Sequence, residues 1–273
     1  MQNSLVYNIP ASMIDSFQGR NLIVRSSSPN QIVYSLWRSD LSNVRFVQLL
    51  STPPESALLE GSAESVPLEI VLEDPATQFH KLYSLANLLD SHPVRVAIPV
   101  VTGFGKAVKL AVSLNFSVKL QFGQPDQALL NEVEAILDFY LHGSYVRQPI
   151  EFFQTILRSF YTDEPISLWE VAEEDPKQVR YITDDGEETI SNRFAGVKFD
   201  EGLTDFVKRF GQELISERRE CHNCEFFTRC GGYFKWPDKN YSCEGIKRVF
   251  RTLANASSDM SSDLKSYETL ELH

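Results

Sequence analysis

The chain has 273 residues, 42% hydrophobic and 23% charged, and carries a formal net charge of −11 at pH 7. That balance describes an ordinary globular protein, and the acidic excess, with a pI near 5.0, counts against a general nucleic-acid surface. No stretch approaches the roughly 20 apolar residues of a membrane helix. The N-terminus also lacks the basic start and apolar run of an export signal, so the expected location is the cytoplasm, where thiols stay reduced.

Short apolar, β-branched runs recur along the first half: residues 21–24 (NLIV), 44–50 (VRFVQLL), 67–72 (PLEIVL), 94–100 (VRVAIPV) and 116–122 (FSVKLQF). Their starts lie 22 to 27 residues apart, and helical patterns fill most of the intervals. After PLEIVL, Asp74 is placed to cap a helix with Pro75 at its first position. TGFGKAVKLAVSL and LLNEVEAILDFYL (129–141) repeat the helical spacing. Apolar strands alternating with helices predict an α/β fold with a parallel sheet covered on both faces. Five units are too few for a closed eight-fold barrel, and a sixth strand is expected at ISLWEV (166–171). The leucine and asparagine spacing of a leucine-rich solenoid is absent. The expected architecture is therefore a partial, open TIM-like barrel of parallel βα units over residues 1–178.

Beyond residue 145 the pattern changes. A helix is expected over 147–161, entered through Pro149. The alternation on both sides of Asp185–Gly186 predicts a hairpin over 179–191. Helices are expected over 203–217 and 244–254, on either side of a cysteine-bearing segment, so 179–254 reads as a hairpin joined to a metal-binding unit. The serine-rich stretch 255–273 reads as a mobile tail.

Every cysteine of the chain lies in CHNCEFFTRCGGYFKWPDKNYSC: Cys221, Cys224, Cys230 and Cys243. The first pair can place two sulfurs on one metal or cluster across a tight turn. Gly231–Gly232 lets the backbone fold closely around the third, and Cys243 can close the fourth corner. In a reducing compartment such a group reads as metal ligands before disulfides. Thiolates suit both iron–sulfur clusters and zinc. The second half lacks the short Cys-x2–4-Cys knuckle of a typical zinc site. Phe226, Phe227, Tyr233, Phe234 and Trp236 form a heavy aromatic shell, which favours an oxidation-sensitive cluster. Zn2+ remains the alternative.

CHNCEFFTRCGG resembles the Cys-x2-Cys-x5-Cys-Gly-Gly core of the SPASM/twitch extension found at the C-terminus of radical SAM peptide and protein maturases. The resemblance implies that Cys221, Cys224 and Cys230, with Cys243 as closing ligand, bind one auxiliary [4Fe–4S] cluster. A full extension has a further cysteine four places after the third, where this chain has Phe234, and no cysteine precedes Cys221. A second auxiliary cluster is therefore not implied. The barrel's Cys-x3-Cys-x2-Cys motif, which in that family binds the cluster that cleaves S-adenosylmethionine, is missing as well. What the resemblance implies is an accessory iron–sulfur protein on a degenerate radical-SAM-like barrel, not catalytic by itself. Its expected partners are a radical SAM maturase or a precursor peptide, with roles in substrate binding or electron relay. A structural interaction module stapled by zinc or a cluster is the alternative. An enzyme with an open iron site ranks last, because four thiols leave no open position.

Other residues carry less. His222, inside the first Cys-x2-Cys loop, reads as an exposed loop histidine that could donate to a sulfur. The other histidines are His80, His92, His142 and His273; His80 and His142 sit on predicted helices with no cysteine nucleophile or serine motif nearby, which favours surface or capping roles. TGFGKAVK lacks the glycine spacing of a phosphate loop. The acidic runs VAEEDP (171–176) and TDDGEET (183–189) read as solvated turns. Arg218, Arg219 and Arg229 read either as charges that offset a thiolate-ligated cluster or, equally, as a solvated helix end.

Overall fold

The apolar runs of the N-terminal half are strands of one sheet in a computed structural model that describes residues 5–36, 41–51, 66–194 and 205–271. These strands are β1 (Val6–Pro10), β2 (Asn21–Ser26), β3 (Val44–Leu49), β4 (Leu68–Val71), β5 (Val94–Pro99) and β6 (Ser117–Gln121). The hairpin expected around Asp185–Gly186 forms β7 (Val179–Ile182) and β8 (Glu188–Thr189). The sheet order is β6-β5-β4-β3-β2-β1-β7-β8. Every pairing is parallel except β7 with β8. The result is an open, partial TIM-like barrel. β7 and β8 extend its sheet beside β1, although in sequence they stand next to the cysteine segment.

Helices cover the sheet as the apolar spacing predicts, including α1 (Pro29–Leu36), α3 (Phe104–Ser113), α4 (Gln127–His142) and α5 (Glu151–Thr162). Asp74 caps α2 (Pro75–Gln78), its carboxylate accepting from the Ala76 N–H. Downstream of α2 the chain tightens into 3-10 turns over Phe79–Asp90. Buried Leu82, Leu85 and Leu88 recur every third residue there, the period of a 3-10 and not an α-helix.

The strand expected at ISLWEV is instead the short helix α6 (Leu168–Val171). The Ser167 carbonyl accepts from Glu170 and Val171, and the Trp169 carbonyl from Glu174 and Asp175, so the backbone closes on itself. Glu173, at φ 59, ends the turn. In the C-terminal part, α7 (Phe206–Ser216) precedes the cysteine segment and α9 (Glu244–Glu271) follows it. The last helix thus continues through residues read from sequence as a tail. The hydroxyls of Ser261, Ser262 and Ser266 donate to carbonyls four residues back, which accommodates serine within a helix. Among the described residues, no helix is long and apolar enough to cross a membrane.

A polar belt crosses the barrel interior. The Arg25 guanidinium on β2 donates to the carbonyl of Ile182 on β7 and to the backbone and side-chain oxygens of Asn8 on β1. Asn8 donates to Gln48 on β3, and Gln48 donates at 2.6 Å to Glu69 on β4. Glu69 pairs with Arg95 on β5 at 2.6 Å and with Lys119 on β6 at 3.6 Å. Glu173 then closes the belt on both cations, and Glu151 adds a third carboxylate to Arg95 at 3.3 Å. VAEEDP is therefore no solvated turn, because its first carboxylate neutralises buried lysine and arginine. Burial alone would raise the Glu173 carboxyl, but Lys119 and Arg95 more than offset it and hold it below the ordinary glutamate value of 4.5.

Removing one partner of a buried ion network leaves an uncompensated charge. Glu173→Gln is expected to cost about 3 kcal/mol at neutral pH, measured by urea unfolding. A depressed carboxyl contributes stability above its unfolded pKa that fades as the carboxylate protonates. The gap between wild type and variant should therefore narrow as pH falls below 4.5. A constant gap down to strongly acid pH excludes the ionic account.

Candidate metal centre

The cysteine segment is a run of short turns, which suits a sequence that alternates small, aromatic and charged residues without a helical period. Cys221 lies in the 3-10 turn Glu220–Asn223, Cys230 ends α8 (Phe227–Cys230), and the carbonyl of Cys243 caps α9 by accepting from Lys247. All four cysteines are free, with Cys221 and Cys243 buried. They line one cavity together with Phe226, Phe227 and Phe250. The structure thus brings together all four thiols singled out by their spacing.

The turn after Cys230 is the tightest point. Gly231 and Gly232 both adopt left-handed backbone, at φ 58 and 77. The N–H groups of Gly232, Tyr233 and Phe234 are thereby turned onto the Cys230 sulfur, an arrangement of converging amides that favours negative charge. Trp169 fixes this turn from the barrel side, its Nε1 donating to the Gly231 carbonyl at 3.0 Å. A Cβ on Gly232 would lie 2.5 Å from Leu214 Cδ1.

Charge at the cavity comes from residues other than the arginines expected. Arg219 pairs with Glu217 and Asn240, Arg229 with Ser159 and Asp163, and Arg218 occupies a left-handed position outside the cavity lining. Lys235 and Lys247 line the cavity instead, each 2.6 Å from a different oxygen of Glu220. Glu220 also accepts from the Cys243 N–H at 3.3 Å. Burial works against its ionisation, yet these three donors hold its pKa down at about 2. The thiols move the other way: burial raises Cys221, and pushes Cys230 up to about 11 and Cys243 up to about 12. Lys235 opposes the rise at Cys221 and Cys243.

Two features limit what could fit. Among the described residues, no three His, Cys, Asp or Glu side chains are placed to hold a single metal ion. The free space between the thiols is about 20 Å³, so a larger group requires them to turn outward about their side-chain bonds.

Phe234, where the resemblance would place a further cysteine, is fully buried and packs edge-on to Phe122 and Phe152. It belongs to the junction with the barrel. Tyr233 and Trp236 likewise serve that junction, whereas Phe226 and Phe227 reach the thiols. His222 is exposed, with Nδ1 3.2 Å from the Ile215 carbonyl. His92 is buried against the Val66 carbonyl, His142 stands near Asp138 on the surface, and His80 is exposed; His273 lies outside the described residues. The TGFG loop already has an anion, since the Glu132 carboxylate accepts from the N–H groups of Gly103 and Gly105.

A second hollow, of about 700 Å³, opens at the C-terminal ends of the barrel strands. Lys119, Glu173, Glu174, Tyr181, Arg193 and Tyr233 face it. Sequence reading missed this chamber, although a signal exists: every one of these strands carries a polar residue among its apolar ones, at Asn8, Arg25, Gln48, Glu69, Arg95 and Lys119.

At Gly232 an alanine would combine left-handed strain with a clash, so Gly232→Ala is expected to cost about 3 kcal/mol. Gly19, at φ 76 with nothing near its absent Cβ, should lose only about 1 kcal/mol on the same change. Chemical denaturation of the two variants checks the difference, and equal losses would remove the packing argument.

No protein-family model matches the chain, and no curated protein matches it in sequence. Solved structures do match in fold. One is native anSMEcpe with bound AdoMet and Cp18Cys peptide, at TM-score 0.60 and 11% identity, covering 93% of this chain and 99% of that one. Another is hexahistidine-tagged anSMEcpe with bound AdoMet, at TM-score 0.59 and 12% identity, with the same coverage. With no cysteine before Cys221, the barrel of this chain offers no thiolate set for a cluster of its own. In fold the chain is similar to these AdoMet-bound structures over nearly the whole of its length.

Proposed function

We propose that Cys221, Cys224, Cys230 and Cys243 ligate one [4Fe–4S] cluster, and that the chain is an accessory partner in peptide or protein maturation that does not cleave S-adenosylmethionine. The observation that carries this reading is the meeting of every thiol in the chain around one cavity, with three backbone amides turned onto one sulfur. Hydrogen bonds to sulfur, burial and nearby charge are the means by which a protein stabilises and tunes such a cluster. Once bound, the cluster supplies one-electron chemistry; the chain's own residues shield it with Phe226, Phe227 and Phe250 and fix the Cys230 turn through Trp169.

The barrel chamber is the counterpart on the substrate side. Its volume falls in the ordinary range of ligand sites, about 300–1,000 Å³. The similar structure that holds a peptide supports a peptide as what this chain meets, with a maturase as its partner.

A single zinc ion stapling the segment is the second reading, favoured by the small space between the thiols. It predicts a structural role with no redox response.

Anaerobic purification with metal and sulfide analysis separates the two. The cluster reading expects about four irons and four sulfides per chain, with visible absorption that bleaches reversibly on reduction. Cys224→Ser should lose most of that iron. A colourless chain with stoichiometric zinc and no sulfide would sink the proposal.

A further inference from the structure

We propose that the Lys235–Glu220–Lys247 bridge sets the reduction potential of the group held by the four cysteines, with Lys235 as its principal positive end. This rests on the cluster reading above and goes beyond it by assigning the charges that control the cluster. Lys235 is 3% exposed. Its ammonium donates to Glu220 at 2.6 Å and to the Tyr241 carbonyl, so it is fixed in place and lines the cavity. Lys247 comes to the other oxygen of Glu220 from the first turn of α9, with Glu244 a more distant partner at 3.9 Å. Lys235 is felt at Cys221 and Cys243, and Lys247 at Cys221 and Cys224. Two cations and one carboxylate leave the bridge with one net positive charge against the thiols.

A thiolate-ligated cluster is an anion that becomes more negative when reduced. The step is the addition of one electron, with no bond made or broken and no proton transferred. A fixed positive charge in a poorly solvated site stabilises the reduced form more than the oxidised form, because screening there is weak. Removing a lysine should therefore lower the potential, and removing the carboxylate should raise it. A structural staple would produce no such opposition of sign.

The test is anaerobic spectroelectrochemical titration of the full-length protein and its variants. Lys235→Gln is expected to disfavour reduction at least tenfold, a shift of about 59 mV to lower potential for a one-electron couple. Lys247→Gln should shift the same way by less, since that side chain is more exposed, and Glu220→Gln should shift the opposite way. If Lys235→Gln fails to fold, the opposed shifts of the other two variants decide. Unmoved potentials, or shifts all of one sign, overturn the bridge while leaving the cluster in place. Wild-type protein without iron and sulfide overturns the cluster reading instead, and the bridge with it.

Discussion

A closed set of buried polar contacts governs the barrel. The seven parallel strands each contribute to the belt that runs from the Ile182 carbonyl through Arg25, Asn8, Gln48, Glu69, Arg95 and Lys119. Charges taken out of water are costly unless every member finds a partner, so the belt is an all-or-none arrangement. It also fixes register. Successive side chains on a strand point to opposite faces, and a slip of one residue would remove a belt member from its partners. The same demand accounts for the segment after α6. Glu173 accepts a left-handed backbone because its carboxylate completes the pairing of both Lys119 and Arg95.

One residue later, the barrel begins to hold the cysteine segment. Glu174 stands 3.6 Å from the Arg193 guanidinium. Arg193 donates to the carbonyl of Phe122 at the end of β6, and to those of Tyr233 and Trp236 beyond the third cysteine. Its guanidinium lies 3.9 Å from the centre of the Tyr233 ring, and Trp236 returns a hydrogen bond to its carbonyl. Around it, Trp169, Phe194, Phe206 and Phe210 fill the seam with stacked and edge-on rings. The Cys230 turn is therefore positioned by the barrel, not by the short and irregular cysteine segment alone. A cysteine-bearing segment of this size lacks the core to fix itself.

What could be read from sequence divides along physical lines. Signals that act locally were legible: the Asp74–Pro75 helix start, the Asp185–Gly186 hairpin, the apolar runs that became β2 to β6, and the cysteine spacing. β1 was missed because VYNIP is short, carries Asn8 inside it and ends in proline. ISLWEV was misread because its apolar residues are used to bury Trp169 against the Gly231 turn, a tertiary demand that propensity does not contain. The charged residues failed most often, since their meaning depends on partners far away in the chain. Glu173 and Glu174 look like a solvated turn beside Asp175 and become the counter-ions of the barrel and of Arg193. Arg219 and Arg229 stand near cysteines in sequence and pair elsewhere, while Lys235 and Lys247 reach the cavity through the fold of the turn and of α9.

Tyr233 makes the two hollows neighbours. Its backbone N–H is turned onto Cys230, while its ring faces the barrel chamber and its hydroxyl donates to the Phe122 carbonyl at 3.1 Å. The polypeptide between the third thiol and the chamber wall is thus three residues long, and two of them are the glycines of the tight turn. Tyr233 thus ties the turn that carries the third thiol to the wall of the chamber, and Arg193 and Trp169 hold it there, so that a change in the turn is transmitted to the chamber wall through this one residue.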